Sequence, residues 1–254
     1  MNNKVNYDKN PELESEILRN VRDALNEDLG PTFPMFLNDN TKFKSIDLTG
    51  SIIEREKTGK AKVIGREDAI FCGKLWFEKV FNLLCKEVQI NWIIEDGETI
   101  QPESLICEIG GPIWAILAGE RTALNFIQTL SGTATSTSEL VKLLSGSRIN
   151  ILDTRKTIPG LRIAQKYAVT CGGGKNHRLG LFDEILIKEN HIAAKGSIAT
   201  TLAEMKKRFP KKLLEIEVEN LDQLYQVIEA EVDIILLDNF SIDEIYQAVK
   251  LIDK

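Results

Sequence analysis

The chain has little of several residue types, and each shortage excludes a class of protein. It has two histidines and four cysteines in 254 residues, and the cysteines stand apart at 72, 85, 107 and 171 with no C-x-x-C pair. This spacing argues against a zinc-finger type of site and against a disulfide framework. We therefore interpret the cysteines as reduced thiols and expect a cytoplasmic protein.

The chain also lacks a basic excess and a long apolar run. Its formal net charge is -6, which argues against binding to nucleic acid or to an anionic membrane, because both need a broad basic surface. No apolar stretch approaches the roughly 20 residues that cross a bilayer, and the polar residues 1–16 do not resemble a signal peptide. We expect neither a nucleic-acid partner nor a membrane partner.

What is present is typical of a globular protein of one or two domains, with 43% hydrophobic and 28% charged residues. The first part mixes helical and strand-like segments, with an irregular stretch at 31–50. Helical spacing predicts helices at 12–28, 72–85, 113–130 and 134–145, the last two separated at Ser131 and Gly132. Strand-like runs stand at 51–55, 61–65, 88–94 and 104–109.

From residue 149 the chain alternates short apolar strands with amphipathic helices. The predicted strands are 149–153, 184–188, 213–218 and 233–238. The predicted helices that follow them are 161–169, 198–208, 221–229 and 241–252. Nearly continuous apolar strands joined by helices indicate parallel βα units with buried strands, and hence an α/β fold.

Charged residues stand at the ends of these four strands. In parallel sheets and barrels the carboxyl ends of the strands meet at one edge, where sites form. The residues expected at this edge are Arg155, Lys156, Lys188, Glu217 and Asp238. Glu217 lies between two apolar strand residues, so we expect it to have a partner, either a lysine, a ligand hydroxyl or a metal ion.

Residues 153–191 concentrate positive charge in an acidic chain. The cluster consists of Arg155, Lys156, Lys175, His177, Arg178, Lys188 and His191. Fixed cations match carboxylate and phosphate oxygens, so the segment predicts a pocket for a small, multiply anionic ligand. The glycines at 172–174 are either an ordinary turn or a place where the backbone passes close to that ligand.

Five ordered motifs resemble the quinolinate phosphoribosyltransferase family of NAD biosynthesis. They are ERTALNFIQTLSGTAT at 120–135, DTRKTIPGLR at 153–162, GGGKNHRLGLFDEILIKENHI at 172–192, EIEVEN at 215–220 and IILLDN at 234–239. The resemblance implies an N-terminal α/β sandwich domain (1–125) and an open α/β barrel domain (126–254). Family members continue past the Asp238 motif with two more strand–loop units, so we expect this barrel to lack its last strand units.

The resemblance also implies a reaction and roles for individual residues. The reaction transfers phosphoribosyl from phosphoribosyl pyrophosphate to quinolinate with loss of CO2, and gives nicotinate mononucleotide and pyrophosphate with Mg2+ as cofactor. The implied substrate-binding residues are Arg121, Thr154, Arg155, His177, Arg178 and Lys188. The implied catalytic residues are Lys156, Lys188, Glu217 and Asp238, of which Glu217 and Asp238 also hold the metal. The implied assembly is a homodimer or larger homo-oligomer in which Arg121 enters the neighbouring subunit's site.

Three other functions fit parts of the pattern. A molybdenum-associated paralogue has the same fold, although the intact RKT and NHR motifs favour the transferase. A lysine at a strand end, here Lys188, also suits a Schiff-base lyase or aldolase. A non-catalytic anion-binding protein is the third alternative.

Overall fold

The computed structural model describes residues 11–30 and 47–252, so most of the stretch predicted to be irregular, 31–46, lies outside the described residues. The chain divides into two compact units, residues 1–177 and 178–254, which we call the first and the second unit. Among the helices of the described residues, none combines the length and the apolar content that crossing a bilayer requires.

The first unit joins helices to a small antiparallel sheet. Its helices are α1 (Pro11–Leu29), a short 3-10 helix (Gly50–Ile52), α2 (Lys74–Leu84), α3 (Ile113–Leu143) and α4 (Arg162–Cys171). Its strands are β1 (Thr58–Ile64), β2 (Ala69–Ile70), β3 (Gln89–Trp92), β4 (Thr99–Ile100) and β5 (Leu105–Pro112). The strand order is β1-β5-β3, all antiparallel, and β2 pairs separately with β4.

The core of the first unit follows from the helical periodicity. On α1, a buried apolar residue recurs at intervals of about four, at Leu13, Ile17, Val21 and Leu25. Aromatic side chains of α2 and apolar side chains of α3 belong to the same core. Burying each large apolar side chain contributes about 1.5–3 kcal/mol, so this stripe fixes α1 against the unit.

The second unit is a parallel βα arrangement. Its strands are β6 (Ile185–Ile187), β7 (Leu214–Val218) and β8 (Ile234–Leu237), in the order β6-β7-β8. Its helices are α5 (Glu189–Lys195), α6 (Ile198–Arg208), α7 (Leu221–Glu229) and α8 (Ile242–Ile252). Both strand pairs are parallel, which confirms the predicted α/β class. The predicted domain boundary at 125/126 falls inside α3 and stays a prediction.

Three predicted elements of the first unit were wrong. The predicted strand 51–55 is instead the turn that contains the 3-10 helix, because Asp47 closes it: Gly50 N donates to Asp47 Oδ1 at 2.7 Å and Ser51 N donates to Asp47 O at 3.0 Å. The predicted strand 149–153 is only a bridge between Leu152 and Lys175.

The third wrong prediction is the break between two helices at Ser131 and Gly132. The structure has one continuous helix of 31 residues there, α3. Ser131 Oγ accepts a hydrogen bond from Cys72 N at 2.9 Å and donates one to Cys72 O at 3.2 Å. These tertiary bonds and the buried face of α3 outweigh the weak local preference of a serine–glycine pair for a helix end.

Candidate active site

A buried ion pair organises the end of the DTRK motif in the first unit. The Asp153 carboxylate accepts hydrogen bonds from the ammonium group of Lys166, from Asn176 Nδ2 at 2.6 Å and from the His177 backbone N–H at 2.9 Å. The Lys166 and Asp153 side chains are 2% and 6% exposed. Removing one partner of such a pair costs about 3–5 kcal/mol, because the other charge stays buried and uncompensated.

The same network also includes hydrogen bonds from side chains to backbone carbonyl groups. Lys166 Nζ also donates to His177 O at 3.2 Å, and Asn176 Nδ2 donates to Lys166 O at 2.8 Å. Two chain segments, 153–156 and 175–177, are therefore fixed against α4. Asp153, Lys166 and Asn176 position the predicted site residues beside them, and the sequence did not assign them this role. The signal in the sequence was a lysine between Ala164 and Ala168 on the buried face of α4.

The predicted residues Thr154, Arg155 and Lys156 lie directly after Asp153. Lys156 N donates to Thr154 Oγ1 at 3.0 Å, so the threonine hydroxyl shapes this turn. Thr154 and Lys156 are exposed and Arg155 is half-buried. Thr154 and Lys156 are therefore accessible from solvent, and Arg155 is partly accessible.

Helix α1 holds the other end of this loop. The Gly160 carbonyl accepts from Asn20 Nδ2 at 3.0 Å and from Arg19 Nη2 at 2.5 Å, and Gly160 has a φ of +79° that favours glycine. Asn20 Oδ1 in turn accepts from Trp76 Nε1 at 3.1 Å. Asn20 thus connects the core of the first unit to the loop that follows Arg155 and Lys156.

Arg121 lies on α3 and is exposed. It lines a cavity of about 420 Å³ together with acidic residues of α1, among them Glu27 and Asp28, and with Gly160. Thr122, the next residue, donates from Oγ1 to Asp28 Oδ2 at 3.3 Å. The predicted entry of Arg121 into a neighbouring subunit's site stays a prediction.

The glycine run at 172–174 packs against α3. A Cβ atom on Gly172 would stand 2.3 Å from Ala134 O, and one on Gly174 would stand 2.9 Å from Thr137 Cγ2. Gly173 has a φ of +88°. Close packing and a left-handed turn thus account for these glycines, and a close approach of this backbone to a ligand stays a prediction.

In the second unit, Lys188 and Glu217 form an ion pair at the carboxyl edge of the sheet. Ile187 pairs with Ile216 in the parallel register, so the residues that follow them are neighbours. Lys188 Nζ donates to Glu217 Oε2 at 2.6 Å. The Glu217 side chain is 10% exposed and the Lys188 side chain 41%. Glu217 therefore has the lysine partner that its place in an apolar strand required.

Asp238 follows β8 at the same edge. Asp238 N donates to Val218 O at 2.9 Å. Since Val218 pairs with Leu237, this bond places Asp238 beside Glu219, one residue beyond the end of β7. Asn239 adopts a φ of +57° and donates from Nδ2 to Asp238 Oδ2 at 3.0 Å. The two carboxylates, Glu217 and Asp238, offer hard oxygen donors of the kind that Mg2+ prefers.

Two further predicted residues are placed by the structure. Arg178 is buried in the second unit, and its Nη1 donates to Glu184 O at 3.4 Å. Lys188 N donates to His191 Nδ1 at 3.0 Å, so His191 caps the start of α5, a helix that the sequence did not predict. The site residues thus fall into two groups: Thr154, Arg155, Lys156 and His177 in the first unit, and Arg178, Lys188, Glu217 and Asp238 in the second. Arg121, on α3 of the first unit, lines the cavity that Gly160 also lines.

Comparison with known proteins matches both parts of the chain to one family. Residues 47–131 match the family described as "Quinolinate phosphoribosyl transferase, N-terminal domain", and residues 133–254 match its "C-terminal domain". A "Probable nicotinate-nucleotide pyrophosphorylase [carboxylating]" of Bacillus subtilis is 42% identical over 206 residues, covering 81% of this chain and 71% of that protein. The Mycobacterium leprae "Nicotinate-nucleotide pyrophosphorylase [carboxylating]" is 36% identical over 230 residues, covering 91% and 78%.

A solved structure gives the same result. The nicotinate-nucleotide pyrophosphorylase from Francisella tularensis superposes with a TM-score of 0.86 at 46% identity, covering 94% of this chain and 80% of that one. The resemblance inferred from the five motifs is therefore confirmed. The chain belongs to the quinolinate phosphoribosyltransferase family.

Proposed function

We propose that this chain transfers a phosphoribosyl group from phosphoribosyl pyrophosphate to quinolinate with decarboxylation, in de novo NAD biosynthesis. The products are nicotinate mononucleotide, pyrophosphate and CO2, and the enzyme class is a carboxylating pentosyltransferase. The observation that carries the proposal is the match to both family domains, in order, over nearly all of residues 47–254. The relatives quoted above carry the name of this reaction.

The cations of the site suit the substrates. Quinolinate carries two carboxylates and phosphoribosyl pyrophosphate carries more negative charge still. Arg155 presents a half-buried guanidinium, which can bind a carboxylate through two parallel hydrogen bonds. Together with His177 and Arg178 it would bind quinolinate, with Thr154 as a hydroxyl donor and Arg121 as a further cation. Lys156 and Lys188 would lie near the pyrophosphate.

The Lys188–Glu217 pair supports a role in the chemical step. We expect the quinolinate nitrogen to displace pyrophosphate at the anomeric carbon, through a transition state with oxocarbenium character. The Glu217 carboxylate, fixed by Lys188 at 2.6 Å, supplies negative charge next to the developing cation without having to reorient. Once the ring nitrogen is quaternary, the ring accepts the electron pair that decarboxylation leaves behind.

Mg2+ is the cofactor of this proposal, with Glu217 and Asp238 as its protein ligands. Its chemistry there would be to neutralise the pyrophosphate leaving group. The donor set fits, because Glu217 lies near the carboxyl end of β7 and Asp238 follows the adjacent strand β8. Each carboxylate keeps an oxygen outside its bond to Lys188 or Asn239. The carboxylates also have a role without the cation, which is to bind the ribose hydroxyls.

The ion pair also weighs against the Schiff-base alternative. A lysine that attacks a carbonyl needs a free lone pair on Nζ. Lys188 Nζ instead donates to a carboxylate that is 10% exposed. This contact occupies Nζ and favours an electrostatic role over nucleophilic catalysis.

The proposal includes an assembly and a location. A homodimer or larger homo-oligomer would bring Arg121 of one subunit to the site of another. A cytoplasmic location is supported by the four free cysteines, which suit a reducing compartment.

The test is an assay for pyrophosphate release that depends on quinolinate. With Mg2+ present, we expect release only when both substrates are added, and we expect EDTA to abolish it. Nicotinate in place of quinolinate is the matched control. Release that does not require quinolinate, or formation of a borohydride-trapped adduct on Lys188, would contradict the proposal.

A further inference from the structure

Two cysteines of the first unit lie next to each other outside the predicted site. Cys72 directly precedes Gly73, the N-cap of α2, and Cys171 is the last residue of α4. Their sulfur atoms and a carboxylate oxygen of Asp96 all lie within 4.8 Å of one another. In sequence the two cysteines are far apart, so their pairing is visible only in the fold.

The Asp96 carboxylate already has its hydrogen-bonding partners. Oδ1 accepts from Gly73 N at 2.9 Å and from Lys74 N at 3.1 Å, which caps the first turn of α2. Oδ2 accepts from Tyr167 OH at 2.7 Å. Burial raises the pKa of Asp96, although these hydrogen bonds oppose that shift. The carboxylate thus serves as a helix cap, and the two thiols are the groups left for chemistry.

The two thiols differ in their access to solvent. Cys72 is 0% exposed, and burial, with a smaller contribution from the neighbouring Cys171, raises the pKa of its thiol well above the ordinary value. Cys171 is half-buried. A small oxidant therefore reaches Cys171 first, and Cys72 is sheltered behind it.

We propose that Cys72 and Cys171 are a site of reversible oxidation that forms an internal disulfide with a small peroxide. The Cys171 sulfur attacks one peroxide oxygen and the O–O bond breaks; the leaving hydroxide takes the Cys171 thiol proton, so that a sulfenic acid and one water form. Cys72 sulfur then attacks Cys171 sulfur, the S–O bond breaks, and the second water leaves with the Cys72 proton. Two thiols are oxidised by two electrons and hydrogen peroxide is reduced to two waters.

Formation of this disulfide would strain the glycine turn at residues 172–174. The sulfur atoms must approach to about 2 Å, and Cys171 is followed at once by Gly172, which has no free space against Ala134 of α3. The turn continues to Gly174, whose N–H donates to Val169 O at 3.0 Å, and then to Asn176 and His177, which are bound to Asp153. Strain at Cys171 therefore reaches residues that position the predicted quinolinate site.

The first experiment measures the bond itself. The purified wild-type protein is treated with hydrogen peroxide, and its intact mass and tryptic peptides are compared before and after reduction with dithiothreitol. We expect the loss of two hydrogen atoms, a cross-linked peptide pair that contains Cys72 and Cys171, and full reversal by the reductant. Cys107→Ala is the matched control, because Cys107 is also 0% exposed, and it should behave as the wild type.

Single variants separate the roles of the two thiols. In Cys72→Ala, Cys171 should stop at the sulfenic acid and react with the diketone probe dimedone. In Cys171→Ala, Cys72 should neither react with dimedone nor form the bond. Dimedone labelling of wild-type Cys171 with no cross-linked peptide would overturn the proposal. So would stoichiometric zinc in the untreated wild-type protein that is lost in both variants, because the thiols would then be metal ligands.

The effect on the turn is measured by hydrogen exchange and by activity. We expect faster exchange of the amides of residues 172–175 in the oxidised protein. The activity measurement rests on the proposed function, and we expect kcat to fall about tenfold or more, because small misplacements of binding groups have effects of this size. If the disulfide forms but hydrogen exchange and kcat do not change, the proposed effect of the disulfide on the glycine turn is wrong. If the reduced protein shows no quinolinate-dependent activity at all, that result counts against the proposed function alone.

Discussion

The two units hold their ion pairs in different ways. In the first unit, Lys166 and Asp153 are 2% and 6% exposed, and further hydrogen bonds to Asn176 and His177 satisfy the same groups. In the second unit, Lys188 is 41% exposed, although its partner Glu217 is only 10% exposed. The first pair is closed to solvent and fixes the chain around it, whereas the second can be reached by a ligand. Of these two pairs, only Lys188–Glu217 leaves a charged group open to a ligand.

The largest effect is expected from breaking the closed pair. Lys166→Met leaves the Asp153 charge buried without its partner, so we expect the free energy of unfolding to fall by about 3–5 kcal/mol. Urea denaturation measures this, with Lys175→Met as the control, because Lys175 is exposed in the nearby turn. Adding Asp153→Asn should recover part of the loss. If Lys166→Met and Lys175→Met lowered the free energy of unfolding equally, the Lys166–Asp153 pair would not be what stabilises this region.

The second largest effect is expected from changing the accessible pair, Lys188–Glu217. This change should lower kcat far more than it lowers the free energy of unfolding. Glu217→Gln removes the negative charge but keeps an oxygen for Lys188, so we expect kcat to fall by about 10²–10³, with little change in quinolinate affinity. Steady-state kinetics and calorimetry with quinolinate measure the two effects. Glu219→Gln is the control, since Glu219 is exposed near the same strand end. Collapse of quinolinate affinity with normal turnover of bound substrate would contradict the assignment.

A smaller effect is expected for the accessible cation of the first unit. Arg155→Lys keeps the charge but loses the planar pair of donors, so quinolinate binding should weaken by about 1.5–3 kcal/mol. Calorimetry with quinolinate and with nicotinate measures this, and nicotinate should lose less because it has one carboxylate fewer. Arg148→Lys serves as the control, because Arg148 is exposed. Equal affinity of the wild type for the two acids would rule out the proposed recognition.

The smallest effect is expected from a neutral contact. Ser197 Oγ accepts from Thr200 N at 3.2 Å and caps α6. Ser197→Ala should lower the free energy of unfolding by about 1 kcal/mol, measured by urea denaturation, and should leave kcat unchanged. Ser145→Ala, at an exposed position after α3, is the control. If Ser197→Ala lowered the free energy of unfolding as much as Lys166→Met does, the expected difference between charged and neutral contacts would be wrong.

The sequence predicted the accessible pair better than the closed one. Glu217 stood out because a carboxylate within an apolar strand needs a partner, and the parallel register makes Lys188 its neighbour. Lys166 gave a weaker signal, a lysine between two alanines of an amphipathic helix, and its partner is fixed only by tertiary packing. The bounds of α6 and α7 agree with the prediction to the residue, since each begins at a capping side chain, Ser197 and Asn220.

Where the prediction failed, distant contacts were decisive. Ser131 and Gly132 have the composition of a helix end, but the bonds of Ser131 to the backbone of Cys72 keep α3 intact. Asp47 similarly converts a strand-like run into a turn through bonds to Gly50 and Ser51. No local pattern contains this information, because local preferences are weaker than the tertiary contacts that oppose them.

The continuity of α3 has a consequence for exchanging parts between members of the family. The two family matches meet at residues 131 and 133, which suggests a natural joint for chimeras, yet this point lies in the middle of a helix of 31 residues. Beyond it, Thr135 Oγ1 still accepts from Ile70 N at 2.9 Å, and Ala134 and Thr137 are buried. A chimera joined there would combine two halves of one helix that evolved against different neighbours. A crossover in the exposed stretch 145–150, after α3 ends, would keep α3 in one piece, and only its contacts with segments such as the glycine run at 172–174 would then join two parents.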